Sequence, residues 1–211
     1  QRMPDPNATK RIVALISGTG QALQGVLDAV HFDTIDARVV AVFSHDRWSY
    51  GLLRAEREGI PALLHDFTDY RIDGRSERDY IDDLGARVAS FDPDLIIIAG
   101  WQRPLDDAFH ARFAGHILVI HSGSEALPRY ADPTQNPVSQ IYEAYSAGLI
   151  REAQVSIPQL TSGLSHGRIV AQRSVPIYQT DRPVDLEERV HRTQQELLLH
   201  TLHLLLRDDA P

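Results

Sequence analysis

The sequence predicts an α/β fold: a mostly parallel sheet with helices on both faces and an antiparallel pair of strands towards the C-terminus. Three observations lead there. Short apolar runs rich in Val and Ile alternate with helical-period segments through the first half, the pattern of strands buried on both faces between crossover helices. The run Leu95–Ala99 (LIIIA) has no polar residue and suits the centre of a sheet. Gln154–Leu160 and Arg168–Ile177 flank the turn-rich TSGLSHG, which suits an antiparallel pair.

The elements follow in order. Arg11–Ser17 (RIVALIS) reads as the first strand; Gly18, Thr19 and Gly20 break it, and Leu23, Val26, Leu27 and Val30 then recur at helical spacing. Ala37–Phe43 is a second strand, Tyr50–Gly59 a helix stopped by Gly59-Ile60-Pro61, and Ala62–His65 a short strand. Glu77–Phe91 is helical, with Tyr80, Leu84 and Val88 on one face, and Pro93 lies beyond its end. After Leu95–Ala99 come a short helix, Asp106–Phe113, and a strand, His116–His121. His121–Pro137 is irregular, Val138–Ala147 helical, and Leu186–Leu206 closes the chain as a helix with a strongly apolar end. The parallel units imply right-handed crossovers, and so a Rossmann-like sheet. No internal repeat or linker divides the chain, so one domain over residues 1–211 is expected, with 1–10 a disordered polar tail.

Composition narrows the function. The 211 residues carry 21 Lys+Arg against 29 Asp+Glu, a net charge of −8 and the wrong sign for binding duplex nucleic acid through overall charge. The absence of cysteine excludes disulfides, thiolate metal sites and cysteine nucleophiles. No apolar run approaches the roughly 18 residues of a membrane span. The opening QRMPDPNATK lacks the apolar core of a signal peptide. The expectation is a cytoplasmic protein with a small-molecule substrate and neither nucleic-acid nor membrane partner. It is a monomer or a homodimer, since the leucine-rich last helix serves equally as core or as a dimer face.

In an open parallel sheet, ligands bind beyond the carboxyl ends of the strands. Three such ends carry chemistry. Gly18-Thr19-Gly20-Gln21-Ala22 is a Gly-rich turn entering a helix, whose unpaired N–H groups suit an anion; the same turn also serves a plain strand-to-helix connection. Leu23 stands where a dinucleotide fingerprint needs its third glycine, and no Lys-Ser/Thr makes it a P-loop. His121 ends a strand before an irregular loop, the place for a general acid or base. Arg103 beside Trp101 offers a cation and a ring to a planar or anionic ligand, and is equally readable as a solvated side chain.

Two other patterns read as structural. Gly163-Leu164-Ser165-His166-Gly167 matches a nucleophile elbow, but a strand-like segment follows where the elbow needs a helix. Glu196, His200 and His203 share a helix face but are set among leucines, so a core or oligomer border explains them better than a metal.

Read together, these segments resemble the phosphoribosylglycinamide formyltransferases of the folate-dependent formyltransferase family. The similarity runs from about Arg11 to Leu206. RIVALISGTGQALQGVLDA resembles a strand, S-G-x-G-S-N-L-Q and a helix; FDPDLIIIAGWQRPL resembles P-D-x-x-V-L-A-G-F-M-R-I-L. HILVIHSGSEALP resembles a strand ending N-I-H-P-S-L-L-P, and GRIVAQRSVPIYQTD resembles D-x-G-P-I-I-L-Q-x-x-V-P-V. The resemblance implies formyl transfer from 10-formyltetrahydrofolate to the amine of glycinamide ribonucleotide in purine biosynthesis, with no metal. By the same resemblance His121 is catalytic, Gly18, Thr19, Gly20, Gln21 and Ala22 bind the phosphorylated substrate, and Trp101, Gln102, Arg103 and Leu105 bind the folate. Family members bring an Asn, a His and an Asp to the formyl carbon, for the oxyanion, for proton transfer and for orienting the His. Here Val119 stands at the Asn and Ser165 at the Asp, while His121 is kept. The alternative implied by those departures is a homologue that binds a folate or phosphorylated ligand without transferring formyl, or that performs different chemistry in the same cleft.

Overall fold

Strand formation follows the apolar runs closely. In the computed structural model, which describes residues 9–123, 137–160 and 167–207, β1 (Lys10–Ile16) buries Ile12 to Ile16 almost completely. It leads through the glycine turn to α1 (Gln21–His31), then β2 (Ala37–Ser44), α2 (Tyr50–Arg57) and β3 (Ala62–Leu64). A short helix, α3 (Phe67–Ile72), precedes α4 (Glu77–Ala89), β4 (Leu95–Ala99), α5 (Asp107–Arg112) and β5 (Ile117–Gly123). Then come α6 (Pro137–Ser146), β6 (Glu152–Leu160), β7 (Arg168–Pro176) and α7 (Pro183–Arg207).

The strands form one seven-stranded sheet in the order β3-β2-β1-β4-β5-β6-β7. The five strands from β3 to β5 are parallel, and β5–β6 and β6–β7 are antiparallel. Alternation along each strand divides the core. Ile12, Ile16, Ile97, Leu118 and Ile120 pack on the face covered by α1, α6 and α7. Val13, Leu15, Phe43, Ile96 and Ile117 pack on the other, with Tyr80 and Leu84 of α4 and Phe109 of α5. Helices therefore cover both faces, as the sequence predicts.

Three differences are local. The helix α3 has no buried residue, so no apolar stripe announces it; Asp66 starts it by accepting the Thr68 N–H at 2.8 Å. The chain enters α7 at Pro183, three positions before the apolar periodicity begins, and Asp185 accepts the Arg182 N–H there at 2.9 Å. Finally, β5 runs two residues past His121, because Ser122 and Gly123 pair with Val155 and Gln154 of β6.

Candidate functional site

Between β1 and β4 the strand order reverses direction, and the carboxyl ends of these two strands open a crevice. Its floor is tied by a bridge from Ile16 to Gly100 and by the Ser17 hydroxyl, which donates to the Gly100 carbonyl. Gly18 and Gly20 adopt φ of 61° and 65°, which glycine accepts without strain. Gly20 also needs the space, since a β-carbon there would lie 2.6 Å from Gly51 Cα. The carbonyls of the turn face the α2 side. Gly18 accepts from the Ser49 hydroxyl at 3.1 Å, and Thr19 accepts from Arg54 Nε at 2.9 Å. The amino end of α1 carries no side-chain cap, so the amides of its first turn remain available to an anion.

Thr19, Gly20, Gln21 and Ala22 line a cavity of about 140 Å³ together with Ile120 and Ser122 of β5, the start of α6, and His191 and Gln194 of α7. Gly18 instead borders a second, more open groove. His191 and Gln194 were not legible as site residues: they lie i, i+3 beside the apolar stripe of α7, but only the packing of α7 on α1, with Gln195 over Gly25, returns them to the crevice. Burial lowers the His191 pKa from its usual value.

His121 belongs to the opposite face. It follows Ile117 and Val119 by two-residue steps, so its side chain leaves the sheet on the α4–α5 side, whereas Ile120 and Ser122 face the crevice. It is half-buried and stands across the ladder from the buried Ser156. Trp101, Leu105 and Val119 share one apolar cluster on this side. The expected histidine thus shares one face with Trp101 and Leu105 of the expected folate strip, while Thr19, Gly20, Gln21 and Ala22 of the expected phosphate turn line the other; at the carboxyl edge Gly18 borders the same open groove as Gln102.

Within the strip the side chains divide. Trp101 is buried edge-on to His45, 5.1 Å between centroids, and its indole N–H has no partner among the described residues. Gln102 is exposed; its backbone N–H donates to His45 Nε2 at 3.4 Å, and burial lowers the His45 pKa. Together with Asp46, Arg47, Trp48 and Asp66, these residues border the open groove of about 530 Å³. Arg103 is held by the protein itself: its guanidinium lies 4.0 Å over Phe67 and 5.2 Å over Tyr80 and donates to Glu77 at 3.0 Å. Leu105 is half-buried.

The segment holding Ser165 and His166 lies outside the described residues, but Gly167 leads directly into β7, not into the helix an elbow requires. Glu196 is engaged by Arg173 of β7 at 2.7 Å. Among the described residues no group of three or more His, Cys, Asp or Glu side chains is arranged to hold a metal. No described helix is long and apolar enough to cross a membrane.

Comparison with known proteins agrees with this architecture. The formyl transferase family model matches residues 10–202. A phosphoribosylglycinamide formyltransferase of Haemophilus influenzae is 33% identical over 188 residues, covering 89% of this chain and 83% of that protein. Its counterpart in Escherichia coli K12 is 33% identical over 187 residues, covering 89% and 82%. The crystal structure of glycinamide ribonucleotide transformylase 1 from Symbiobacterium toebii superposes with a TM-score of 0.81 at 28% identity, covering 99% of this chain and 92% of that one.

Proposed function

The chain belongs to the formyl transferase family, and from that membership we propose that it transfers the formyl group of 10-formyltetrahydrofolate to the amine of glycinamide ribonucleotide. The observation that carries the reading is the two-faced carboxyl edge. A Gly-rich helix start suited to a phosphate lines one face, and a strand-end histidine shares the other with an apolar strip. Relatives of this fold and length are named for the same reaction.

In this reading the phosphate of the ribonucleotide sits against the first-turn amides of α1, with His191 and Gln194 beside it. The folate lies along Trp101–Leu105, where Gln102 supplies an exposed polar side chain and Leu105 an apolar surface. The substrate amine attacks the formyl carbon, forming a C–N bond as the carbonyl electrons move to oxygen. Collapse of that tetrahedral species breaks the bond to N10 of the folate, and the proton lost by the amine ends on N10. His121 is the catalytic residue: it assists that proton transfer and supplies a polar contact to the charge that develops. Val119 has no hydrogen-bond donor, so an oxyanion at its position lacks a contact worth about 3–4 kcal/mol elsewhere. The expectation is therefore a slow enzyme, not a differently directed one.

The test is tetrahydrofolate release that depends on both substrates. Turnover only with glycinamide ribonucleotide present supports the proposal. If neither substrate is consumed while both raise the melting temperature, the chain is a binding homologue.

A further inference from the structure

We propose that Asp181 and Arg189 are positioning residues for the ribonucleotide: their ion pair fixes the rotation of α7 that turns His191 and Gln194 into the cavity at the glycine turn. The inference rests on the reading that the ribonucleotide occupies that cavity, but the geometry of the pair is independent of what binds there.

Helical periodicity sets the problem. Leu186, Val190 and Leu197 form a buried stripe along α7. At about 100° per residue, Arg189 and Glu196 fall on one flank of that stripe and His191 and Gln195 on the other, with Gln194 between the stripe and His191. Arg189 and His191 therefore project about 160° apart around the helix. Apolar packing is non-directional, whereas hydrogen bonds prescribe angles, so the polar contacts of the flanks set the rotation.

Those contacts are strongest on the flank turned away from the cavity. Arg189 Nη1 and Nη2 donate to the two carboxylate oxygens of Asp181 at 2.7 and 2.8 Å, and Nη1 also donates to the Pro176 carbonyl at 2.7 Å. The Asp181 side chain is only 5% exposed and accepts the Tyr178 N–H at 2.8 Å as well. Farther along the same flank, Glu196 meets Arg173 of β7. On the other flank Gln195 packs over Gly25 of α1, and His191 and Gln194 reach the cavity. The Asp181 carbonyl accepts the Tyr142 hydroxyl at 3.1 Å, so the same residue also holds α6, whose first residues line the cavity. One corner between β7 and α7 thus sets two of its walls. A forked guanidinium–carboxylate pair suits that task, because both bonds form only at one mutual orientation.

Removing one partner alone strands a buried charge, so the pair is best removed together. The experiment compares the full-length native protein with Asp181→Asn/Arg189→Met, with Arg189→Lys, and with Arg11→Met as a control. Arg11 makes similar bonds, to the Phe91 and Asp92 carbonyls at 2.6 and 2.9 Å, but at the amino end of β1. The double variant is expected to raise KM for glycinamide ribonucleotide about three- to tenfold, the size of one weakened polar contact. Its kcat and its KM for the formyl donor should stay within about twofold, since only binding of one substrate is touched. Arg189→Lys keeps the charge but not the fork, and should shift the ribonucleotide KM in the same direction by less. Independently of turnover, the His191 imidazole, followed by NMR, should titrate closer to its ordinary value in the double variant; burial lowers its pKa in the native fold, with Glu187 opposing. Arg11→Met should leave both readouts unchanged even where it lowers the melting temperature. An unmoved His191 titration in the double variant, or equal shifts in Arg11→Met, overturns the proposal. A native protein that neither binds nor turns over the ribonucleotide, while the His191 titration still moves in the double variant, supports the positioning role and refutes only the formyl-transfer reading.

Discussion

His65 and Tyr80 hydrogen-bond each other in both directions: His65 Nε2–H donates to the Tyr80 carbonyl at 2.8 Å, and the Tyr80 hydroxyl donates to the His65 carbonyl at 2.9 Å. Arg87 Nη1 donates to the remaining ring nitrogen, Nδ1, at 2.9 Å. Both His65 nitrogens are therefore satisfied only in the neutral ring. This pair fastens the β3–α3 connection to α4, and so supports the Phe67 and Tyr80 rings under Arg103.

A pH dependence of stability follows. Burial is the main cause lowering the His65 pKa, with Arg87 and Arg75 adding to it and the hydrogen bond to the Tyr80 carbonyl and the Asp83 charge opposing it. The unfolded chain thus binds a proton near the ordinary value of about 6.5, where the folded chain does not. Stability from this site is complete above that value and declines as pH falls below it, until the folded-state pKa is reached. Thermal melting between pH 7.5 and 5 should show the decline, and His65→Gln should be less stable at neutral pH but flatter across the window. An equally steep decline in His65→Gln would assign the effect to other histidines.

Gly20→Ala tests the proposed role of the glycine turn in binding phosphate. The left-handed backbone costs a β-carbon about 1–2 kcal/mol, and the contact of 2.6 Å with Gly51 Cα adds to that. The expected result is a lower denaturation midpoint together with a raised KM for the ribonucleotide, because α2 and the amino end of α1 must separate. A KM change for the folate alone would contradict the assignment of the two faces.

Arg103→Met separates support from ligand contact. The guanidinium is held by Phe67, Tyr80 and Glu77, so its loss should cost on the order of 1 kcal/mol of stability, the scale of a cation–π contact. KM for the formyl donor should stay within about twofold at temperatures where the variant is folded. A large rise in that KM with unchanged stability would show that Arg103 contacts the folate, as the family resemblance implies.

The sheet was legible because burial is written into apolar runs: LIIIA at β4 and RIVALI at β1 sit where the sequence puts them. What escaped was either unburied, as in α3, or decided by partners distant in sequence. His121 reads as a strand end by composition, yet the strand continues because β6 pairs with Ser122 and Gly123. His191 reads as one more polar position on a helix until the packing of α7 on α1 sets it beside the glycine turn. The division of the candidate residues between two faces follows from alternation along β5, but only the packing of the helices shows which face borders the cavity at the glycine turn.

Val119→Asn is the informative gain. Val119 is half-buried against the cluster holding Trp101 and Leu105, so an amide there should lower stability by about 1–3 kcal/mol. If it reaches the oxyanion, kcat should rise by up to about 10²–10³-fold, the range removed with such donors elsewhere. A kcat that is unchanged or lower would mean that another group already fills that role.

The central claim is that His121 on this face catalyses formyl transfer, and the most direct measurement is steady-state turnover of glycinamide ribonucleotide with 10-formyltetrahydrofolate by the native chain and by His121→Ala. The account predicts slow but ribonucleotide-dependent turnover in the native protein and a loss of about 10²–10⁴-fold in kcat for the variant, the usual contribution of such a group. Equal rates for the two proteins, or no native turnover at saturating substrates, would contradict it.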